Sequence, residues 1–566
     1  MMANKFKYWP DRPEKLTAPF AKKEYEKLLV RIEPAEKSVS PDLWLKLFAD
    51  WNALSAYLSS EGARMHHAYN KNLADRKLAS ADKYYREKLI PAVTTAEHAL
   101  VKALLKSQHK NAVANNFGKQ LIPLYNSQMK PLDPINTGLH IEAGRLKRKY
   151  DQIIAAASVQ IDGQEVTLPK ARALATSENR ALRQETFLAT SQWFLKNQAT
   201  LAGLFDDLVK LRTQMGKNLG YESYTPLAYE INARTDYSEK NVEQFRSYVQ
   251  KHVVPLRTKI LKQQAGALGL SRLKPWDAAY NPATTLPLGI APINKQLSSA
   301  QKLFDNLSPK LGKHFSYMRR HGLIDLENRP HKWSSAYCTS FSDDGTVAVL
   351  CSSTGDPDDV RVLMHEMGHA FQAWESQKIK TNDLKWATAD LAEVYSFGME
   401  FLSLNYINNF FNKENADKFS KSRWEDTIYL LCYCCVVDEF QHWVYAHPSA
   451  TTSKRNAAWI TIANKYTPGI DWEGYEKYRG LRWYAQLHIF NVPFYYIDYA
   501  LAATAAAQLA ILDKSDHKQA LGRYLKMCRL GGTKSFKSAL TDSGLRSPFE
   551  ESLIKDLANH AAHILL

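Results

Sequence analysis

Residues Val362–Gln372 read VLMHEMGHAFQ, which sets His365 and His369 four positions apart with Glu366 beside the first. On a helix, residues four apart lie one turn apart on the same face. Two imidazoles so placed can reach one divalent ion at ~2.0–2.1 Å. Glu366 then lies about 100° further round the helix, near enough to take a proton from a water but poorly aimed to act as a ligand. That is the chemistry of metal-assisted hydrolysis. A match of these five letters somewhere in a chain of this composition has a chance expectation of about 0.03, so a pair of core histidines stays open as the other reading.

A catalytic metal of this kind needs a third protein ligand and an open position. The pattern with a third histidine six residues on is absent, because Gln372 and Glu375 stand where glycine and histidine would be required. A glutamate on a later helix is the alternative. The run ADLAEVYSFGMEFLSL carries Glu393 and, seven residues on, Glu400, which places both on one face. Two carboxylates on an apolar helix need cations or donors. The metal for Glu393 and a ligand-histidine N–H for Glu400 would satisfy them, as would salt bridges to a neighbouring Lys or Arg.

Late in the chain, LRWYAQLHIFNVPFYYIDYALA places His488 ahead of Pro493, Tyr495, Tyr496 and Tyr499. With a helix starting near Pro493, Tyr496 and Tyr499 share a face. Their phenols could donate to the oxygen that becomes negative when water attacks a carbonyl. An aromatic packing stripe is the competing reading.

The elements that must bring these segments together are mostly helical. PDLWLKLFADWNALSAYLSSEGARMHHAYN and TAEHALVKALLKSQ repeat apolar residues at three- and four-residue steps. Asp162-Gly163 lies between short alternating runs and predicts a hairpin near 158–168. SSAYCTSFSDDGTVAVLCSSTGDPDD predicts a small sheet just ahead of the motif helix, whose start is signalled by Asp356, Pro357 and Asp359. If a peptide adds to the strand Thr346–Cys351, Val347, Ala348 and Val349 contact substrate. LKPWDAAYNPATTLPLGIAP reads as a loop. The chain divides into an N-terminal helical lobe, 1–180, and a catalytic region, 181–566.

Bulk properties narrow the classes further. The 566 residues are 45% hydrophobic and 23% charged, as in a globular protein, and suit more than one core. The net charge of +16 comes from 74 basic and 58 acidic residues that are interleaved rather than clustered. This argues for a solvated surface and against nucleic acid. Cys338, Cys351, Cys432, Cys434, Cys435 and Cys528 form no paired C-x-x-C clips, which fits a reducing compartment. The start lacks an apolar signal core, and the greasiest run, Thr427–Val437, is too short to cross a bilayer, so a cytoplasmic, membrane-free location is expected.

Taken together, HEMGHAFQ, LAEVYSFGME and HIFNVPFYYIDYALA resemble the oligoendopeptidase F and thimet oligopeptidase family of zinc metallopeptidases, with the bacterial oligoendopeptidase F branch nearest. RTQMGKNLGYESYTPLAYEINARTDYS, AYCTSF and RLGGTKSFKSAL extend the likeness over residues of about 180–560. The resemblance implies a mainly α, two-lobed ellipsoid with a deep central channel, and one Zn2+ per chain held by His365, His369 and Glu393. It implies Glu366 as general base, with His488, Tyr496 and Tyr499 on the substrate carbonyl and Tyr495 beside them. Short peptides would be the substrates. The chain departs from the family where IFNVPF replaces a Gly-rich segment and where Phe536 replaces a proline. A helical zinc carboxypeptidase is the nearest rival reading, and a non-catalytic helical binding protein the remote one.

Overall fold

The computed structural model describes residues 15–287 and 289–566. Those residues form helices and connecting loops, interrupted by five short strands. Strands β1 (Ser158–Ile161) and β2 (Gln164–Thr167) make an antiparallel hairpin. Its two-residue turn places Asp162 at φ 51° and Gly163 at φ 69°, the left-handed pair that an Asp-Gly turn supplies.

Strands β3 (Ile324–Asp325), β4 (Tyr337–Phe341) and β5 (Thr346–Leu350) form a second sheet in the order β3-β5-β4. β5 runs antiparallel to β4 and parallel to β3. It is therefore the middle strand, and Val347, Ala348 and Val349 are buried. This overturns the expectation that a peptide adds along β5. Val349 and Cys351 give their N–H groups to Leu323 and Asp325, and the other edge is taken by β4. The apolar run TVAVL suits such a covered strand.

The chain folds as two compact units, and neither follows a single cut at residue 180. One holds the described residues up to Met129 together with Pro287–Asn412 and Ala506–Leu545. The other holds Lys130–Leu286, Lys413–Ala505 and Arg546–Leu566. Helices join a core by the faces they bury, so segments distant in sequence share one unit. In the first unit, Trp44, Phe48, Trp51, Leu100 and Tyr125 belong to one buried cluster. In the second, the Phe490 ring stacks on Tyr150 at 4.0 Å and lies near Phe205 and Trp483. The Cys-rich run lies inside the helix Lys413–Ala446, where Cys432, Cys434 and Cys435 are buried and free. No helix among the described residues is long and apolar enough to cross a membrane.

Two helices of the first unit position the motif. The motif helix runs Asp358–Glu375, starting one residue later than Pro357. Its start is secured as the sequence suggests. Asp356 accepts from the Asp358 N–H, and Asp359 reaches back to the N–H groups of Thr354 and Gly355. The second helix, Ala389–Leu402, is buried along almost its whole length.

The two helices meet at Gly368. A Cβ there would stand 2.5 Å from the Tyr395 carbonyl oxygen and 2.7 Å from Ser396 Cα. Tyr524 donates its O–H to the Tyr395 carbonyl at 3.2 Å, tying a third helix, His517–Leu530, to the crossing. Gly368→Ala should push the helices apart. A stability loss of about 1–3 kcal/mol in urea melts is expected, with weaker divalent-metal binding by chelator competition. A variant as stable and as metal-competent as the parent would refute this account of the crossing.

Candidate active site

The crossing turns the motif helix so that His365 and His369 face Glu393. Glu393 Oε2 lies 3.3 Å from His365 Nε2 and 3.8 Å from His369 Nε2. The two rings are 5.0 Å apart and nearly perpendicular. One donor atom from each of the three residues lies within 4.8 Å of the others, the single such group among the described residues. Bonds of ~2.0–2.1 Å in a tetrahedral site separate their donors by about 3.3 Å. Two neutral imidazoles and one carboxylate at these separations fit a zinc-type ion with one position open to water or substrate.

Glu400 occupies the far side of His365. Its Oε1 lies 2.7 Å from Nδ1, while Arg361 Nη1 stands 3.8 Å from Oε2. An Nδ1–H donated to Glu400 turns the Nε2 lone pair toward Glu393, the arrangement that raises the basicity of a ligand imidazole. Ser396 supports Glu393 in a similar way, donating its hydroxyl to Oε2 at 3.0 Å. Phe397 closes the His365 ring with an edge contact at 5.5 Å.

The electrostatics follow from burial. His365 is desolvated, yet its hydrogen bonds to Glu393 and Glu400 outweigh that and lift its pKa to about 10. His369 has no such partner on Nδ1 among the described residues, and burial lowers it to about 4. Burial would raise Glu393, but its contacts with His365 and His369 bring it to about 2. The proton of this group therefore sits on His365, facing an ionised Glu393. A divalent cation would displace that proton, because these ligands bind deprotonated.

Glu366 stands apart from this set. It is 6% exposed, and its Oε2 has no hydrogen-bond partner among the described residues. Burial raises it to about 7, with Glu393 and Glu400 adding to the effect. A carboxylate not engaged by other side chains can receive a proton from water and return it.

The second unit gathers the late residues. His488 stacks parallel to Tyr495 at 5.9 Å, and its ring lies 4.7 Å from Tyr496 and 5.8 Å from Tyr499. Tyr499 is 5.3 Å from Tyr495 and 5.5 Å from Tyr496. Burial pushes the Tyr496 phenol up, so it remains a protonated donor. The helix starts at Ile497, not near Pro493, because Phe494 adopts φ 65° and cannot begin a helical turn. The four rings still gather, through the turn rather than along one helix face.

Several residues were not singled out in the sequence. Gln486 donates to His488 Nδ1 at 2.8 Å and accepts from Tyr433 at 3.0 Å. Ser396 and Arg361 each had a local signal, lying three after Glu393 and four before His365 on the same helix faces. Gln486 lies two before His488. Its role depends on Tyr433, more than fifty positions away, and no spacing rule finds it.

A mainly helical fold whose first unit brings two histidines and a glutamate together at a helix crossing defines the class of protein, and its relatives name that class. Residues 173–559 match the family described as Peptidase family M3, and residues 14–132 match the Peptidase M3 N-terminal domain. The chain therefore belongs to peptidase family M3. It is 22% identical over 397 residues to an oligoendopeptidase F homolog of Borreliella burgdorferi, a match covering 65% of this chain and 62% of that protein. The chain thus spans less than two thirds of that relative's length. Among solved structures, PZ peptidase A with an inhibitor is 30% identical, with a TM-score of 0.90 and 98% of both chains covered. A Bacillus anthracis str. Ames protein assigned provisionally as oligoendopeptidase F is 26% identical, with a TM-score of 0.85 and 99% of this chain and 98% of that one covered.

Replacing Glu400 by Gln removes the anion that orients His365. Metal affinity is expected to fall by about 10–100-fold in a competitive chelator titration. Unchanged affinity would leave Glu400 as a salt-bridge partner of Arg361 alone.

Proposed function

We propose that this chain is a zinc-dependent endopeptidase that hydrolyses short oligopeptides. One observation carries the reading: three ligand-type donors converge beside a buried carboxylate whose Oε2 has no hydrogen-bond partner among the described residues. Membership of peptidase family M3 and the names of the relatives support it. His365, His369 and Glu393 would hold the ion. Bound zinc supplies a Lewis acid that polarises the scissile carbonyl and brings the pKa of water towards ~7.

The remaining steps belong to the protein. Glu400 keeps His365 in the tautomer that presents Nε2. Glu366 takes the proton of the attacking water on its carboxylate and passes it to the leaving amine nitrogen as the C–N bond breaks. Tyr499, with Tyr496 and His488, donates to the carbonyl oxygen as it becomes negative. Tyr495 packs against His488 and contacts the peptide.

Cleavage of an internally quenched oligopeptide with both ends blocked tests the reading. Activity lost to a chelator and restored by zinc is expected. An enzyme that requires a free carboxylate would instead be a carboxypeptidase. Glu366→Gln should abolish cleavage while metal analysis still finds one zinc per chain. Retained turnover in that variant would remove Glu366 as the base. Tyr499→Phe should lower kcat by about 100- to 1,000-fold, the range for loss of one oxyanion donor.

A further inference from the structure

Between His488 and the tyrosines the chain makes a glycine-free turn that exposes Val492 and buries residues on either side of it. Ile489, Phe490 and Phe494 are fully buried, so their main-chain polar groups need partners inside the protein. Two buried arginines supply them. Arg212, 2% exposed, donates to the carbonyls of Ile489 and Phe490 and to the Tyr445 hydroxyl. Arg234, 8% exposed, uses one nitrogen, Nη2, for both the Phe494 carbonyl and Asp498 Oδ1, the latter at 2.7 Å. Its guanidinium lies over the rings of Tyr229 and Tyr237, at 4.3 and 5.6 Å. The Phe494 N–H goes to Gln441 Oε1 at 2.9 Å, and Asn232 donates to the Pro493 carbonyl at 3.3 Å.

These bonds surround a residue in an unfavourable conformation. Phe494 has φ 65°, a region that a side-chain-bearing residue occupies at a disadvantage of roughly 10-fold or more. Such a conformation persists only where the surroundings over-determine it. Asp498 is the residue before Tyr499, and Phe494 is the residue before Tyr495. The bridge through Arg234 therefore ties both ends of the segment that carries the three tyrosines. Burying two cations for a purely structural turn is expensive, since apolar side chains of similar volume commonly serve as well.

We propose that Arg234 is a positioning residue, which holds Phe494 left-handed and so sets Tyr495, Tyr496 and Tyr499 against His488, with Arg212 fixing the other end of the turn. This rests on the reading that those tyrosines serve the scissile carbonyl. The device fits the reaction's need, because a donor must meet the oxyanion in a fixed place. Lysine does not replace Arg234, because the planar guanidinium makes both bonds from Nη2 while lying over the Tyr229 and Tyr237 rings, a stacking that a compact ammonium does not reproduce.

The test is a double-mutant cycle on Arg234→Lys and Phe494→Gly, assayed with the end-blocked quenched peptide. Arg234→Lys should lower kcat by about 10-fold or more with KM within about 2-fold, because alignment rather than binding is lost. In the Phe494→Gly background the same substitution should cost no more than about 3-fold, since glycine takes the left-handed conformation without the clamp. An equal loss in both backgrounds, or an unchanged kcat, would overturn the proposal. If Arg234→Lys does not fold, Gln441→Ala takes its place in the cycle, because it releases the Phe494 N–H without leaving a buried charge. Tyr499→Phe separates the two levels. Unchanged kcat in that variant overturns the tyrosine reading and the clamp's purpose with it. A loss there beside an unaffected Arg234→Lys overturns the clamp alone.

Discussion

Two carboxylates on one buried helix are the constraint around which the first unit is arranged. Glu393 and Glu400 sit on a helix whose remaining residues are almost all core. Isolated ionised carboxylates in such a place would be strongly unfavourable. Both find the imidazole of His365, one on each ring nitrogen, and Glu393 also meets His369. That pairing demands a close crossing of two helices, and the crossing demands a residue without a Cβ at position 368. Tyr524 then holds the crossing from outside by its bonds to the Tyr395 and Gly368 carbonyls. Packing and polar satisfaction are solved by the same contact.

Glu366 gains its character from exclusion. It is adjacent in sequence to a ligand-type histidine, yet the helix turns it away from the donor set. It is buried, its Oε2 has no hydrogen-bond partner among the described residues, and desolvation is the main cause that raises its proton affinity. Glu393, equally buried, is pulled the opposite way by the histidines. Two glutamates with pKa values driven apart by their environments have separate roles open to them, one as ligand and one as base.

The second unit solves a different problem. Its rings come from a turn that ordinary helical geometry would not produce, and the Ile497–Asp513 helix begins only after that turn. Guanidinium groups replace the backbone ladder there. The rigid element is a set of buried hydrogen bonds around a strained residue, not a length of secondary structure.

Spacing alone determined much of this protein. The helical periodicity, the Asp-Gly hairpin, the cap of the motif helix and the same-face placement of His365 with His369 and of Glu393 with Glu400 are local, and local rules find them. The tertiary structure decided what those rules cannot reach. It decided which strand lies inside the sheet, because TVAVL reads alike as an open edge or a covered centre until its neighbours are known. It put Gln486 between Tyr433 and His488, and it placed Phe494 in a left-handed turn that no residue in IFNVPF announces. It also divided the chain into units that interleave in sequence, since helices are sorted by the faces they bury. Residue types and periods specify what each segment needs; only the packed chain specifies which distant segment meets that need.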